Sequence, residues 1–198
     1  MPRYTSTIRK NEIVQSAREL IINKGIKAVT IKNIAAKNKI TEGAIYRHFK
    51  SKRAILQMLV EDFESNLMKA IDCAIRDGDD PIETLKNIMI VHLKYTEERK
   101  SELFVITAAS VHFDDRELRQ NILDVIERYK SRIKIILLKA QKENLLRNKI
   151  DLDSVSLTFF GLIQITAIQY ALTNYTVAPI TKFNTLWEIF IKGIVRLS

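Results

Sequence analysis

The chain has 198 residues, of which 46% are hydrophobic and 28% charged, so its composition is that of a globular protein with a buried core. Its single cysteine, Cys73, excludes an intramolecular disulfide framework and a zinc site built on several thiolates, which favours a cytoplasmic protein. The formal net charge is +9, yet residues 1–53 alone carry 13 Lys and Arg against 3 Asp and Glu. This confined basic excess indicates a local surface for nucleic acid or an anionic membrane.

Apolar residues recur at helical spacing along almost the whole chain, which predicts an all-α fold. The first three helices are expected at about residues 8–24, 31–38 and 42–48. Gly25 ends the first, Thr30 caps the second and Thr41 caps the third, whose Ile45 and Phe49 face the core. Two short amphipathic helices joined by a polar turn and followed by cations are typical of a helix-turn-helix.

Longer helices follow. The fourth begins after Ser51 and ends near residue 76, before Gly78, and its regular apolar stripe predicts a stiff connection to a second domain. Asp80 and Pro81 start the next helix as an N-cap followed by proline. The remaining helices are expected at about residues 102–110, from Asp114 or Asp115 to about 146, at 153–174, and at 182–197 after a Thr181 cap.

One segment raises the question of a membrane. Residues 154–181 carry no formal charge and are long enough to cross a bilayer. However, polar side chains surround this helix, and a lone spanning helix would leave the amides of Gln164 and Gln169 without partners in lipid. We therefore expect a helix buried on two sides in a soluble assembly, and no membrane partner.

Hydrogen-bond donors are concentrated around the third helix. Phosphate contacts need donors on a rigid frame, and the start of the fourth helix adds a favourable dipole. The candidate donors are Thr41, Tyr46, Arg47, His48, Lys50 and Lys52. Gly43 lets a base or sugar approach the backbone closely. The alternative is that the aromatic residues only fill a core and the cations form a solvated face, but so many donors beside one short helix favour DNA binding.

These residues follow a known pattern, ILxAAxxLFxxxGxxxxTxxxIAxxAGVSxGTLYxHFxSKxxL. The chain has, in the same order and spacing, Ile13, Ala17, Leu20, Gly25, Thr30, Ile34, Ala35, Gly43, Tyr46, His48, Phe49, Ser51 and Lys52. Over about residues 8–60 it thus resembles the amino-terminal domain of the TetR family of bacterial transcriptional repressors, and residues 159–172 are similar to the penultimate helix of many members. The resemblance implies a three-helix DNA-binding domain at 1–53, joined by a connector helix to an effector-binding and dimerisation domain at 54–198.

The resemblance also implies roles for individual residues. Phosphate contacts are expected from Thr30, Tyr46, His48 and Lys52, and base-edge positions for Glu42, Gly43 and Arg47. Two positions depart from the family pattern: Asn38 or Lys39 must take the left-handed conformation usually given to glycine, and Ala44 replaces a hydroxyl but can meet a thymine methyl. Glu42 either accepts a hydrogen bond from a cytosine amine or is only a solvent-exposed acid in the first helical turn.

The segment at 153–174 is apolar nearly all round, so one face can pack on its own core and the other on a second copy. The expected dimer contacts are Gly161, Gln164, Ile168, Leu172, Trp187, Phe190 and Ile194. Inward apolar stripes suggest an effector site lined by Phe63, Met89, His92, Tyr95, Phe104, His112, Phe113, Tyr129 and Phe159. The alternative is that these residues fill the core completely.

The sequence therefore predicts a homodimeric, sequence-specific repressor that a small, largely apolar effector releases from its double-stranded DNA operator. An alternative is a nonspecific architectural DNA-binding protein without an effector response, which would not require a large apolar bundle. An enzyme is not expected, because the three histidines lack metal-binding spacing and the five glycines form no phosphate loop. No catalytic residue, metal site or cofactor is predicted.

Overall fold

The computed structural model describes residues 4–75 and 80–196, and the predicted helix end at Gly78 lies outside them. The helices are α1 (Tyr4–Lys24), α2 (Ile31–Lys37), α3 (Glu42–Tyr46), α4 (Lys52–Ala74), α5 (Pro81–Glu98), α6 (Glu102–His112), α7 (Arg116–Lys142), α8 (Leu152–Leu172) and α9 (Phe183–Ile194). Two short 3-10 helices lie at Ile26–Ala28 and Pro179–Lys182. The predicted all-α class is confirmed.

Local chemistry fixes several helix ends. The Asp80 carboxylate accepts hydrogen bonds from the first turn of α5, and the Asp115 carboxylate accepts one of 3.1 Å from the Leu118 amide, so Asp115 caps α7. Helix α7 stops at Lys142, earlier than expected, because Asn144 takes a left-handed φ of 58°. The Thr181 cap was a wrong prediction, since its hydroxyl donates backwards to the Ala178 carbonyl at 2.6 Å.

The chain divides into two compact units. The N-terminal unit comprises residues 1–64 and 102–122, and the C-terminal unit comprises residues 65–101 and 123–198. The N-terminal unit therefore contains α6, the first part of α4 and the start of α7 in addition to α1, α2 and α3. An ion pair explains part of this grouping, because Arg18 Nε of α1 donates to Glu102 Oε1 of α6 at 3.0 Å, with both side chains buried.

In the N-terminal unit, α1, α2 and α3 share one apolar core. Ile13, Ile34 and Ile45 contribute one fully buried side chain from each helix, and Phe49 closes the core after α3. Helices α2 and α3, with 7 and 5 residues, are too short to be stable alone, so this shared burial is what holds α3 in place.

The C-terminal unit is built around α5 and α8. Leu85 and Ile88 of α5 and Phe159 and Ile163 of α8 are fully buried. By length and composition alone, α8 is the one described helix that could cross a membrane. Its packing within the unit accounts for part of that apolar composition, because 44% of its apolar 18-residue window is buried.

Candidate nucleic-acid interface

The turn between α2 and α3 is fixed by hydrogen bonds at both of its ends. The Ile40 amide donates to the Ala35 carbonyl at 3.0 Å as α2 closes, and Lys39 takes the left-handed conformation with φ 55°. Of the two residues considered for this conformation, Lys39 therefore adopts it. The cost is on the order of 1 kcal/mol for a residue other than glycine, and the turn hydrogen bonds hold it there.

Threonine side chains cap both helices as expected. Thr30 Oγ1 accepts from the Asn33 amide at 3.1 Å, and Thr41 Oγ1 accepts from the Ala44 amide at 3.2 Å. A hydroxyl that accepts a hydrogen bond keeps its own O–H to donate. Because both threonines are exposed, each can cap its helix and still offer a donor to a phosphate.

One face of α3 is open to solvent. Tyr46 is 53% exposed, and Glu42, Gly43 and Arg47 are exposed beside it. Residues three or four apart lie on the same side of a helix, so these four form a single surface. Ile45 holds the opposite side in the core, and this short helix therefore presents its polar face outward on a rigid support.

Gly43 has no neighbour that would exclude a side chain. A Cβ atom built there meets only Thr41 Oγ1, at 3.9 Å, which is an ordinary contact. The backbone of α3 is thus bare at this position although the fold does not require it. Another molecule can therefore approach the backbone closely at Gly43.

The cations around α3 differ in their surroundings. Arg47 and Lys50 are exposed and form no ion pair with the residues that the structure describes. Lys52 is half-buried, its Nζ lies 5.8 Å from the centre of the Phe113 ring, and burial lowers its pKa.

The other predicted contacts Ala44 and His48 are also half-buried. Ser51 Oγ accepts from the Ala54 amide at 3.2 Å and caps α4 next to these cations.

Sequence reasoning did not identify Arg18 as important for this surface. Besides its pair with Glu102, its guanidinium donates to Gln15 Oε1 at 2.6 Å and to the Asp62 carboxylate of α4. It therefore ties α1 to α4 and α6 within the N-terminal unit. A charged residue directly after Ala17 and two before Leu20, inside an apolar stripe, was the available signal.

The residues predicted to line an effector site fall in both units. In the N-terminal unit Phe63 is buried, Phe104 is half-buried, His112 is exposed, and Phe113 is 59% exposed, so Phe113 is not an inward residue. Its ring instead packs on the His112 ring, with the two centres 4.7 Å apart.

In the C-terminal unit, Met89, His92, Tyr95, Tyr129 and Phe159 are all buried. His92 Nδ1 and the Tyr129 hydroxyl share a hydrogen bond of 2.9 Å, and both rings lie beside Phe160. Burial lowers the pKa of His92 to about 3 and raises that of Tyr129. Both side chains are therefore uncharged at neutral pH, and this pair is a neutral polar group inside an aromatic cluster.

An exposed apolar stripe follows α8. Leu157, Gly161, Ile165 and Leu172 recur at three- to four-residue multiples, and Leu172 is 75% exposed. Open space surrounds a Cβ placed on Gly161. Of the other predicted contact residues, Gln164, Ile168 and Trp187 are half-buried.

Phe190 and Ile194 do not belong to this exposed stripe. They are only 3% and 5% exposed in the single chain, and the Phe190 ring packs 5.3 Å from the Phe159 ring, centre to centre. Helix α9 therefore uses these two residues for the core of its own unit, while Ile189, at 62% exposure, faces outward.

A capped helix-turn-helix with an exposed polar α3 face, followed by a helical bundle, defines the class of helix-turn-helix DNA-binding regulators. Residues 13–59 match the family described as bacterial regulatory proteins, tetR family, and residues 60–193 match the one described as YsiA-like protein, C-terminal region. The chain belongs to the TetR family of bacterial transcriptional regulators. Proteins of this kind bind DNA and are not enzymes.

Similar proteins include regulators of fatty-acid metabolism. The fatty acid degradation regulator FadR of Bacillus halodurans has a TM-score of 0.83 at 18% identity, over 93% of this chain and 95% of that one. FadR of Bacillus subtilis, solved with stearoyl-CoA, has a TM-score of 0.78 at 21% identity, over 93% and 98%. The nucleoid occlusion factor SlmA of Aliivibrio fischeri is 22% identical over 91% of this chain and 93% of its own.

Proposed function

We propose that the protein is a cytoplasmic, homodimeric repressor that binds a specific operator and is released from it by a small, largely apolar effector. The observation that carries this proposal is the exposed face of α3, where Arg47 and Tyr46 stand on a helix whose other side is fixed in the core. Arginine can donate two hydrogen bonds to guanine in the major groove. Lys50, Lys52 and the two capping threonines supply phosphate contacts around it.

The exposed stripe on α8 supports the dimer. Large apolar side chains in one exposed row are unusual on a monomer and are typical of a protein interface. A second copy placed across Gly161 and Leu172 would bury them in a two-fold contact. Two copies of α3 would then enter successive major grooves roughly 34 to 36 Å apart, which requires a near-palindromic operator.

As the effector we propose a long-chain acyl-CoA, which matches the apolar description through its acyl chain, whereas its coenzyme portion is polar and anionic. The buried aromatic cluster of the C-terminal unit suits an apolar chain, and the His92–Tyr129 pair offers it one neutral polar contact. The Bacillus subtilis relative that was solved with stearoyl-CoA supports the same class of ligand. Binding among these helices would move α4, the connector, and so change the distance between the two recognition helices.

Selection of genomic fragments in the presence of excess nonspecific DNA tests the operator. We expect recovery of a few fragments, each with one footprint of two-fold symmetry. Stearoyl-CoA should release the protein from these fragments, whereas coenzyme A alone should not. Recovery of all fragments in proportion to their length would contradict the proposed operator specificity. Equal release by stearoyl-CoA and by coenzyme A alone would contradict the proposed effector.

A second candidate is a role in nucleoid occlusion without an effector response. The similarity to SlmA over 91% of the chain favours it, since that relative is named a nucleoid occlusion factor. The same fragment selection separates the two functions. Sites spread along the chromosome and insensitive to acyl-CoA would favour nucleoid occlusion, and a few acyl-CoA-sensitive sites at promoters would favour the repressor.

A further inference from the structure

A cleft of about 160 Å³ lies inside the N-terminal unit, next to one of the predicted phosphate contacts. Apolar side chains form most of its wall, including Ile26, Leu56, Phe113 and Leu118. Lys52 also lines it. The cleft is therefore a small apolar space with an ammonium group beside it.

The other charged groups of the cleft already have partners. Arg53 Nη2 pairs with Glu117 Oε2 at 3.0 Å, and Asp115 Oδ1 accepts from the Leu118 amide. Lys52 differs, because no carboxylate in the described part of the chain pairs with its ammonium group, which instead lies over the Phe113 ring. Burial lowers the pKa of Lys52, as expected for an ammonium group partly removed from water beside apolar side chains. An anion placed there would be stabilised.

We propose that this cleft binds a small aromatic carboxylate, with the ring among the apolar side chains and the carboxylate on the Lys52 ammonium group. The size is suitable, since an apolar cavity of about 150 Å³ holds one benzene molecule. The Phe113 ring, over which the Lys52 ammonium group lies, forms part of the wall that the ligand ring would contact. The ligand carboxylate would pair with the Lys52 ammonium group, which has no carboxylate partner in the described part of the chain.

Occupation of the cleft has a consequence for DNA binding. An ammonium group held by a carboxylate is no longer available to a phosphate, so the ligand competes with one operator contact. This step rests on the proposed function, because it requires that Lys52 contact DNA. Binding of the carboxylate to the protein alone does not require it.

Calorimetric titration of the full chain with benzoate, without DNA, tests the site. Benzamide has the same shape and no charge, so it should bind at least about tenfold more weakly if the Lys52 ion pair forms. Lys52→Met should reduce benzoate binding to the level of benzamide. Lys50→Met removes a neighbouring exposed cation outside the cleft, and it should bind benzoate like the wild type.

Equal affinity of the wild-type protein for benzoate and benzamide would overturn the proposal, and this comparison does not depend on any variant folding. Undiminished benzoate binding by a folded Lys52→Met protein would overturn it as well. With operator present, benzoate should weaken DNA binding by the wild type but not by Lys52→Met. If benzoate binds and no operator can be found, the proposed function is wrong but the benzoate site is confirmed. If benzoate binds without weakening operator binding, the proposed competition between the carboxylate and a DNA phosphate for Lys52 is wrong.

Discussion

Gly43 is the single residue at which folding and DNA binding can be separated most cleanly. An added methyl group meets nothing closer than 3.9 Å in the protein, and alanine is favoured over glycine inside a helix by about 0.5 to 1 kcal/mol. We therefore predict that Gly43→Ala folds at least as stably as the wild type but binds operator more weakly. Urea denaturation and a binding titration measure the two effects, and unchanged operator affinity would show that nothing approaches this backbone.

His92 gives the stability of the protein a dependence on pH. Its pKa is about 3 in the folded chain and about 6.5 when unfolded. Because the folded value is the lower one, the stabilisation is complete above about pH 6.5 and is lost as the pH falls towards 3. We predict a decrease in the free energy of unfolding of up to about 1.4 kcal/mol per pH unit from this group.

The variant His92→Gln should remove this component of the pH dependence, whatever its effect on stability at neutral pH. Urea denaturation at fixed protein concentration, between about pH 6.5 and 4.5, measures the slope. Equal slopes in the two proteins would show that His92 is not a buried neutral group.

At the scale of elements, the prediction concerns the buried ion pair between α1 and α6. Arg18→Met leaves the buried Glu102 carboxylate without its guanidinium partner, which should destabilise the protein by about 3 to 5 kcal/mol. The double variant Arg18→Met, Glu102→Met removes both charges and should recover much of this loss. Chemical denaturation of the wild type, the single variants Arg18→Met and Glu102→Met, and the double variant gives the coupling energy. Additive losses would mean that the pair does not hold the two helices together.

The sequence predicted those elements whose signals are local. Caps at Thr30, Thr41 and Asp80 need only the next few residues, and all three side chains accept the expected hydrogen bonds. Positions that depend on distant packing were not predictable. Phe190 has the same apolar pattern whether it meets a partner or its own core, and only the fold shows that it packs on Phe159. The Arg18–Glu102 pair joins residues 84 positions apart, which no periodicity reveals.

The candidate DNA-binding surface was largely predictable for the same reason. Its residues lie within one short stretch, and helical geometry alone separates Ile45 from Tyr46 and Arg47. By contrast, the predicted effector residues come from helices α4 to α8 and, in the case of Phe113, from the residue after α6. Their burial ranges from Phe159, which is fully buried, to Phe113, which is mostly exposed. Such a set depends on the tertiary arrangement and cannot be derived from helical spacing.

At the scale of the whole molecule, the α8 stripe predicts a dimer that one charge can disrupt. Leu172 and Ile165 are 75% and 57% exposed in the single chain, so aspartate at either position should not disturb the protomer. In a dimer it would bury an uncompensated carboxylate, at a cost of several kcal/mol. We predict folded monomers with weakened operator binding, observed by sedimentation and circular dichroism.

Two control variants test whether the effect is specific to the α8 stripe. Leu123→Asp places the same charge on an exposed apolar residue of α7 and should remain dimeric, whereas Phe190→Asp should unfold the protein because Phe190 lies in the core. A Leu172→Asp protein that stays dimeric would exclude this face as the interface.

The central claim is that α3 reads a DNA sequence, and the most direct test compares Arg47→Ala with Lys50→Ala on operator and on scrambled DNA. Arg47→Ala should lose about 1 to 3 kcal/mol on the operator and much less on scrambled DNA. Lys50→Ala should weaken binding to both DNAs alike and make the logarithmic salt slope shallower by about 1. Equal losses on the two DNAs for Arg47→Ala, or no loss on either, would contradict the account.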